Sequence, residues 1–444
     1  MPRGTPVAAR LAALVQRFLG APLPLRVRAW DGSEAGGEHA EPNDPVVIIR
    51  NRRALRHVLW NPNELGLARA YVSGDLDVDG ELYDGLARFW RFAREQRLSA
   101  PSLSLRDRVE MLRAAIGLGV IGLRPPAPPE EARLSGEKHS RSRDLAAISY
   151  HYDLSNDFYA KLLDKSMAYS CGYWTAEPGS HTEHGAGYTV ADAQRDKLDL
   201  ICRKLELRPG MRLLDVGCGW GSLILHAAEH YGVQATGITI STSQRACIRQ
   251  RAEQLGLSGS VEARLADYRE LADEPFDAIG TIEMGEHVGA ENYPTYVATL
   301  HRMLKPGGKL LLQQMSRGAV APGGGAFIES YVAPDMTMVP VGQTVDAIER
   351  AGLEVRDVHA LREHYVTTVL AWADTLEAHW SEFVAMVGEG EARVWRLYLA
   401  GGALTFAENR MGVNQILAVR PTEDGTSGMP RTRVDGMAPV RATV

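Results

Sequence analysis

Two glutamates lie close together in the segment TIEMGEHVGAENY, residues 281–293. The segment follows the apolar run FDAIG, which is typical of a buried strand, so Glu283 and Glu286 are predicted to lie in the turn that leaves this strand. Burying a carboxylate costs free energy unless something positive lies beside it. The pair therefore predicts that a cation is present at this place.

A glycine-rich turn forms the second motif. The segment LLDVGCGWG places Asp215, Gly217, Gly219 and Gly221 at the end of another apolar run. Glycines there permit a tight turn and let a ligand approach the backbone, although the motif alone would also suit a turn with no ligand. The spacing is not the G-x-G-x-x-G of dinucleotide sites, and the following strand ends GITIS without an acidic residue for a ribose. The strand and helix context favours a nucleotide-type ligand.

The elements around both motifs alternate between strand and helix from about residue 145. The predicted strands are RLLDVGCG, VQATGITI, VEARLADY, FDAIGTIEM and KLLLQQMS, separated by amphipathic helices and, before the last strand, by a KPGG turn. This succession predicts an α/β fold with a doubly wound parallel sheet, whose ligand lies beyond the C-terminal strand ends. Residues 362–408 are predicted to be helical and carry many aromatic side chains.

Composition divides the chain into four parts. Residues 1–122 are predicted to form a smaller, mostly helical domain, and residues 123–144, rich in proline, serine and charge, a linker. Residues 145–421 form the main domain, and residues 422–444 a flexible tail with few apolar residues.

The bulk numbers exclude several classes of protein. The 444 residues carry a net charge of −6, which argues against a nucleic-acid binder. The four cysteines show neither metal-ligand spacing nor a disulfide pattern, which favours a reducing cytoplasm. No apolar run approaches the roughly 20 residues of a membrane span, so any membrane contact is expected to be peripheral.

Several segments in the same order resemble the cyclopropane fatty acid synthase family of class I methyltransferases. They are ISYHYDLSNDFYAKLLDKSMAYSCGYW, LLDVGCGWG, GITISTSQ, LADYREL, EHVGAENYPTY and LKPGGKLLLQ, and the similarity covers most of residues 145–420. The segment NPNELGLARAYVSGDLDVDGEL resembles the family's smaller N-terminal domain. The resemblance implies a seven-stranded Rossmann-like sheet, S-adenosylmethionine as cofactor, and unsaturated acyl chains of membrane phospholipids as substrate.

The resemblance also implies a set of cofactor contacts. Tyr169 and Ser170 are expected beside the methionine part, Thr239 and Gln244 on the ribose hydroxyls, and Asp267 and Tyr268 beside the adenine. The glycine turn, with Asp215 just before it, is expected to line the same cofactor.

In this family a bound bicarbonate acts as the base, held by a cysteine, a glutamate, a histidine and a tyrosine. Cys171, Glu286 and Tyr365 match three of these positions, whereas Gln313 stands where the family usually has histidine, and Gly285 replaces an aromatic residue. Glutamine can donate a hydrogen bond to an anion but carries no charge. A bound bicarbonate is therefore expected, with Gln313 in place of the histidine that usually binds it. Glu283 has no matching role, and both a structural carboxylate and a cofactor contact remain open.

The implied chemistry identifies the cation that the glutamates require. The sulfonium of the cofactor is positive, and transfer of its methyl group to an alkene leaves a carbocation on the acyl chain. Direct loss of a methyl proton closes a cyclopropane ring, whereas a hydride shift before proton loss gives a methylene branch. The altered base site favours the methylene product, with cyclopropanation as the alternative.

Expectations about partners follow from the resemblance. They are peripheral binding at the inner face of the membrane, through the Arg-rich segments RNRRALRH and ARFWRFAREQR, a homodimer, and a reductase partner if the methylene product is reduced. A small-molecule methyltransferase is a second alternative, but the HYDLSNDFY segment and the N-terminal domain count against it. A non-catalytic lipid-binding protein is disfavoured by the intact glycine, Gln244 and Glu286 motifs.

Overall fold

The computed structural model describes residues 5–19, 21–37, 41–96, 105–132, 155–181, 187–319 and 325–432, with the single residues 136, 138 and 143. The chain divides into two compact units. The first comprises Met1–Ala132, Gly324–Val332 and Leu376–Leu404, and the second comprises Arg133–Gly323, Ala333–Thr375 and Thr405–Val444. The predicted domain boundaries treat each domain as one continuous segment, and they stay predictions.

The first unit combines helices with a small sheet. Its elements up to residue 118 are α1 (Val7–Leu19), β1 (Arg26–Arg28), β2 (Glu34–Gly36), β3 (Val46–Ile49), α2 (Arg52–Trp60), α3 (Glu64–Val72), β4 (Leu76–Asp79), α4 (Leu82–Glu95) and α5 (Leu105–Leu118). The sheet order is β2-β1-β3-β4, with β1 and β3 parallel and the other pairs antiparallel. Strands of three or four residues are too short to show a period in the sequence, which is why this sheet was not predicted.

The second unit contains the large sheet. Its elements are α6 (Asn156–Leu162), α7 (Val190–Lys204), β5 (Arg212–Val216), α8 (Ser222–Tyr231), β6 (Gln234–Thr239), α9 (Thr242–Gln254), β7 (Val261–Leu265), β8 (Phe276–Ile282), α10 (Tyr293–Met303), β9 (Leu304–Arg317), α12 (Val341–Arg350), β10 (Glu354–Ala360) and β11 (Met411–Val419). Helix α11 (Gly325–Tyr331) belongs to the first unit. Three further helices, α13 (Arg362–Ala378), α14 (Trp380–Val387) and α15 (Glu389–Ala407), occupy the region predicted to be helical.

Within the described residues, seven strands form this sheet in the order β10-β11-β9-β8-β5-β6-β7. Strand β11 is antiparallel to both neighbours, and the other pairs are parallel. The predicted Rossmann-like class I methyltransferase sheet is therefore confirmed. The order reverses direction between β5 and β8, which is where such sheets bind ligands.

Both faces of the large sheet are buried, and successive side chains of its central strands pack into different core clusters. Leu213 and Leu311 belong to one core cluster, whereas their chain neighbours Leu214 and Leu310 belong to another. Since successive side chains of a strand point to opposite faces, a strand covered on both sides is apolar throughout. This explains the continuous apolar runs in the sequence.

The predicted KPGG turn lies inside β9. Phe276 pairs with Leu304, but Ala278 pairs with Lys309, so the extra residues of β9 bulge out of the ladder, and Gly307 has a φ of 77°. Other predicted segments lie partly outside the described residues: the second half of the linker, at 133–144 apart from 136, 138 and 143, the start of the HYDLSNDFY motif, at 151–154, and the end of the tail, at 433–444.

Candidate active site

An open cleft lies at the carboxyl ends of β5, β6, β7 and β8, enclosing about 1170 Å³ of space that is partly open to solvent. The cleft is lined by nine of the ten predicted cofactor-binding residues, which are Tyr169, Ser170, Asp215, Gly217, Gly219, Thr239, Gln244, Asp267 and Tyr268. The predicted residues therefore converge on one space, although they come from four separate segments of the chain.

Different structural constraints favour glycine at the different positions of the turn. All three have positive φ: 80° at Gly217, 51° at Gly219 and 82° at Gly221. A Cβ on Gly219 would meet no atom within 4 Å, because this residue faces the cleft. Gly221 does not line the cleft; it is the N-cap of α8, and a Cβ there would come 2.9 Å from Cγ1 of Ile248. Packing against α9 therefore accounts for Gly221.

Asp215 and Lys197 are two buried ionisable residues beside the turn. Burial raises the pKa of Asp215 to about 7, and the Lys197 ammonium opposes this rise. Lys197, on α7, donates from Nζ to Oγ of Ser170 at 2.7 Å, and burial lowers its pKa. Among the described residues, Oδ1 of Asp215 has no hydrogen-bond partner. An unpaired buried acceptor at the edge of a cleft suits a ligand that donates hydrogen bonds.

The remaining candidates are positioned by local hydrogen bonds. Thr239 donates from Oγ1 to Oε1 of Gln244 at 2.7 Å, and both side chains are buried. Asp267 accepts from Nε and Nη2 of Arg269 at 2.7 and 2.6 Å, which fixes its carboxylate at the start of a short 3₁₀ turn. Tyr169 packs against Trp372, with ring centroids 5.3 Å apart.

Glu283, and not Glu286, lies at the centre of the predicted catalytic residues. Its Oε1 accepts from the backbone N of Cys171 at 2.9 Å and from Nε2 of Gln313 at 2.8 Å. Its Oε2 accepts from the hydroxyl of Tyr365 at 2.6 Å. Burial raises the pKa of Glu283, while these donors and the Lys197 ammonium oppose the rise. Glu283 also lines the cleft, so the cluster opens onto the space beside the glycine turn.

Glu286 occupies a separate, fully buried position. Its Oε1 accepts from the backbone N of Met315 at 2.5 Å, and its Oε2 has no hydrogen-bond partner in the part of the chain that the structure describes. Burial, followed by the nearby negative charge of Glu283, raises the pKa of Glu286 to about 8. Cys171, Gln313 and Tyr365 donate hydrogen bonds to Glu283 and not to Glu286. The expectation that Glu286 borders the reacting carbons together with Cys171 and Tyr365 stays a prediction.

The Cys171 side chain is not positioned to act as a nucleophile. Its Sγ donates to the carbonyl oxygens of Gly172 and Leu361, at 3.2 and 3.6 Å. Burial raises the pKa of the thiol well above its usual value, so it stays protonated. Cys171 contributes its backbone N–H to the cluster instead.

Aromatic rings wall the cluster on the side of α13. Tyr365 stacks near Phe406, with centroids 4.5 Å apart, and meets Trp372 edge to face at 6.3 Å. Rings of this kind present negative faces that attract cations. The arrangement can therefore stabilise positive charge through both carboxylate and aromatic groups.

Sequence reasoning missed Lys197 and undervalued Glu283. Lys197 lies in a helix whose charged residues are typical of a solvated surface, and no motif distinguishes it. One feature of the sequence could have pointed to Glu283. The site contains three potential hydrogen-bond donors, Cys171, Gln313 and Tyr365, and these donors need an acceptor.

Comparison with known proteins agrees with this site. The family model of mycolic acid cyclopropane synthetase matches residues 139–416. A probable fatty acid methyltransferase of Mycobacterium tuberculosis is 36% identical over 416 residues, covering 92% of this chain and 93% of the relative. The cyclopropane-fatty-acyl-phospholipid synthase of Escherichia coli K12 is 35% identical over 286 residues, covering 64% of this chain and 71% of the relative.

A solved structure shows the same fold. Mycolic acid cyclopropane synthase CmaA1, complexed with S-adenosylhomocysteine and CTAB, matches with a TM-score of 0.56 and 31% identity, covering 62% of this chain and 97% of that one. The fold, the convergent cleft and these matches together show that the chain belongs to the cyclopropane synthase family of S-adenosylmethionine-dependent methyltransferases, which modify lipid acyl chains.

Proposed function

We propose that the chain transfers a methyl group to the cis double bond of unsaturated acyl chains of membrane phospholipids and forms a methylene-branched chain through a carbocation. The observation that carries the proposal is the buried cluster around Glu283, which opens onto the cofactor cleft and is walled by aromatic rings. A carboxylate and aromatic faces in a dry site stabilise a cation that develops there.

The cleft suits S-adenosylmethionine, which supplies an electrophilic methyl group when bound. The Gly219 backbone is open to a ligand, and Oδ1 of Asp215 is an acceptor that no described residue uses. Thr239 and Gln244 are proposed to bind the ribose, and Asp267 and Tyr268 the adenine. Tyr169, Ser170 and Lys197 are proposed to border the methionine part.

Two observations support the methylene product over cyclopropane. Gln313 is a neutral donor whose own Oε1 accepts from Nε2 of Gln415 at 3.0 Å, so the amide is held with its Nε2 toward Glu283. The relative that matches over 92% of the chain is named a fatty acid methyltransferase, whereas the one named a cyclopropane synthase matches over 64%. The latter name also supports a phospholipid substrate.

The decisive experiment is mass spectrometry of the phospholipids of cells that express the chain. A mass gain of one CH₂ is expected for both candidate products. Ozonolysis separates them, because a methylene branch is cleaved to a ketone and a cyclopropane is not. A cyclopropane product would replace the methylene proposal, and unmodified lipids would reject both.

The proposed membrane contact rests on apolar side chains of the first unit. No helix in the described ranges is long and apolar enough to cross a membrane. Trp60 is 53% exposed and Leu123 is 90% exposed, and Nε1 of Trp60 donates to the carbonyl oxygen of Gly122 at 3.3 Å, which brings the end of α2 beside residues 121–123. We name Leu59, Trp60, Ile121 and Leu123 the apolar patch; all four are exposed.

Arginines of the predicted basic segments are less suited to anionic headgroups than the sequence suggests. Arg50 is paired with Asp77, Arg53 with Asp75, and Arg88 with Asp44. A paired arginine contributes little net attraction to an anionic surface. Peripheral binding at the inner face of the membrane, a homodimer, and a reductase that acts on the methylene product remain parts of the proposal.

A further inference from the structure

The three donors that were expected to hold a bicarbonate already hold a carboxylate of the chain itself. The backbone N of Cys171, Nε2 of Gln313 and the Tyr365 hydroxyl all donate to Glu283, at 2.9, 2.8 and 2.6 Å. An external anion therefore does not fit this site. Resting on the proposed function, we infer that the Glu283 carboxylate takes the place of the bound anion and is the base that removes the proton from the methylated acyl chain.

The backbone of Glu283 is shaped to aim this side chain. Glu283 directly follows β8 with a φ of 53°, a left-handed conformation that a non-glycine residue adopts at a cost. Its backbone N donates to the carbonyl oxygen of Gln313 at 2.7 Å, which fixes the turn against β9. The result is a carboxylate that lines the cleft instead of continuing the strand.

The hydrogen bonds leave this carboxylate able to accept a proton. An ionised carboxylate has about four lone-pair sites, and three donors are in place here. Gln415 orients the Gln313 amide, so that Gln313 presents a donor and not an acceptor to Glu283. These donors favour the charged form against the effect of burial, and they set the position of the carboxylate before the substrate binds.

The neighbouring groups are less suited to the role. The Cys171 thiol donates to two carbonyl oxygens, and the Tyr365 hydroxyl donates to Glu283 itself. Glu286 does not line the cleft, and Asp267, which does, is bound to Arg269 through two side-chain hydrogen bonds. Asp215 lies at the glycine turn, in the part of the cleft assigned to the cofactor.

Methyl transfer and proton loss balance in atoms and electrons without a further reactant. The alkene π pair forms the new bond to the methyl carbon, and the former C–S bonding pair leaves with the cofactor product. A C–H bond of the resulting cation then breaks. For a cyclopropane, the electron pair of that C–H bond forms the last C–C bond of the ring. For the methylene product, a hydride first shifts from the methyl-bearing carbon to the cationic carbon, and the electron pair of a methyl C–H bond then forms the C=C bond. In both cases the proton forms an O–H bond on Glu283. Glu283 afterwards returns the proton to solvent.

Removal of bicarbonate provides the first test. The purified full-length chain is assayed with S-adenosylmethionine and dioleoylphosphatidylglycerol vesicles, in buffer freed of carbon dioxide and in buffer with added bicarbonate. Wild-type turnover is expected to be equal in both. Glu283→Gln is expected to lose turnover by roughly 10²- to 10⁴-fold, the usual contribution of a general base, while cofactor binding measured by calorimetry changes little.

A second measurement does not depend on turnover. Glu283→Gly removes the carboxylate at a backbone conformation that glycine adopts readily, and leaves the three donors open. With ¹³C-bicarbonate and no cofactor, ¹³C NMR is expected to show a bound signal with Glu283→Gly and none with wild type. Glu291→Gln, an exposed glutamate in the same segment, is the matched control and should behave as wild type in both experiments.

The outcomes separate this inference from the proposed function. Wild-type turnover that stops without bicarbonate, full activity of Glu283→Gln, or a bound bicarbonate signal in wild type would each overturn Glu283 as the base and leave the lipid chemistry standing. A wild-type chain that binds the cofactor but methylates no acyl lipid under either condition would overturn the proposed function, and this inference with it.

Discussion

Glu283 and Glu286 are three residues apart, yet their surroundings favour the charged form to different extents. Glu286 has one backbone donor and a pKa raised to about 8, so it is mostly neutral at pH 7. Glu283 has three donors and the Lys197 ammonium to favour its charged form. Two adjacent carboxylates divide in this way because a single negative charge is easier to bury than two. Burial raises the pKa of both carboxyls, and Glu283 has more donors than Glu286 to oppose that rise.

Replacing Glu286 tests its raised pKa through the pH dependence of the free energy of unfolding. Its folded pKa of about 8 lies above the ordinary glutamate value of 4.5, so the contribution of Glu286 to wild-type stability falls as pH rises from about 4.5 through 8, while glutamine does not titrate. Between pH 5 and pH 9, the free energy of unfolding of Glu286→Gln is expected to gain roughly 1–3 kcal/mol relative to wild type. Thermal melts at both pH values measure this, with Glu291→Gln as the exposed control. A difference that is the same at both pH values would contradict a neutral Glu286.

The residue at position 313 is expected to influence the product. A neutral histidine could donate to Glu283 from one ring nitrogen and accept from Gln415 at the other, but it would move the carboxylate. Because proton loss competes with the hydride shift, we expect Gln313→His to raise the cyclopropane share, measured by mass spectrometry after ozonolysis. Gln314→His is the neighbouring control, since Gln314 accepts from Tyr293 instead. An unchanged ratio would mean that the seating of the acyl chain selects the product.

At the scale of the element, the turn between β5 and α8 is expected to control cofactor access. In Gly219→Val the side chain would enter the cleft, so the Kd for S-adenosylmethionine should rise by about 10-fold or more, an effect of at least ~1.4 kcal/mol. Calorimetry measures this directly. Gly256→Val is the matched control, because Gly256 also has positive φ and open space but lies outside the cleft. If Gly219→Val bound the cofactor as tightly as Gly256→Val, the turn would not be the cofactor site.

The elements were more predictable than the contacts between them. The strands β5 to β9 and the glycine turn follow from apolar runs and glycine positions, which are local properties of the sequence. The central role of Glu283 depends on donors at positions 171, 313 and 365, which only the folded sheet brings together. Lys197 was missed for the same reason, since its burial is set by packing and not by its helix. The resemblance pointed to Glu286, whereas the hydrogen bonds of these donors go to Glu283.

The assignment of Leu376–Leu404 to the first unit shows a similar limit at the scale of the whole molecule. Arg393, on α15, donates to the carbonyl oxygen of Tyr71 at 2.7 Å and pairs with Asp77 at 3.0 Å. These contacts join residues more than 300 positions apart. Composition along the chain cannot reveal them, because it detects only changes between neighbouring segments.

The apolar patch is expected to determine whether the molecule binds membranes. Replacing both Trp60 and Leu123 with serine should weaken binding to phosphatidylglycerol vesicles by about 10-fold or more, because burying a large apolar side chain contributes about 1.5–3 kcal/mol. Vesicle sedimentation measures the bound fraction. Leu255→Ser, which changes an exposed leucine of the second unit, is the control. Binding that survives the double change but disappears with neutral lipid would assign the contact to basic residues instead.

The left-handed backbone at Glu283 has a genetic consequence. A φ of 53° is a conformation that glycine accepts more readily than any other residue, so the turn after β8 can hold either glycine or glutamate without being rebuilt. Codons for the two residues differ at a single base. With Glu283 as the base that we propose, one point mutation would exchange an enzyme that carries its own base for one that needs an external anion, and the reverse mutation would restore it.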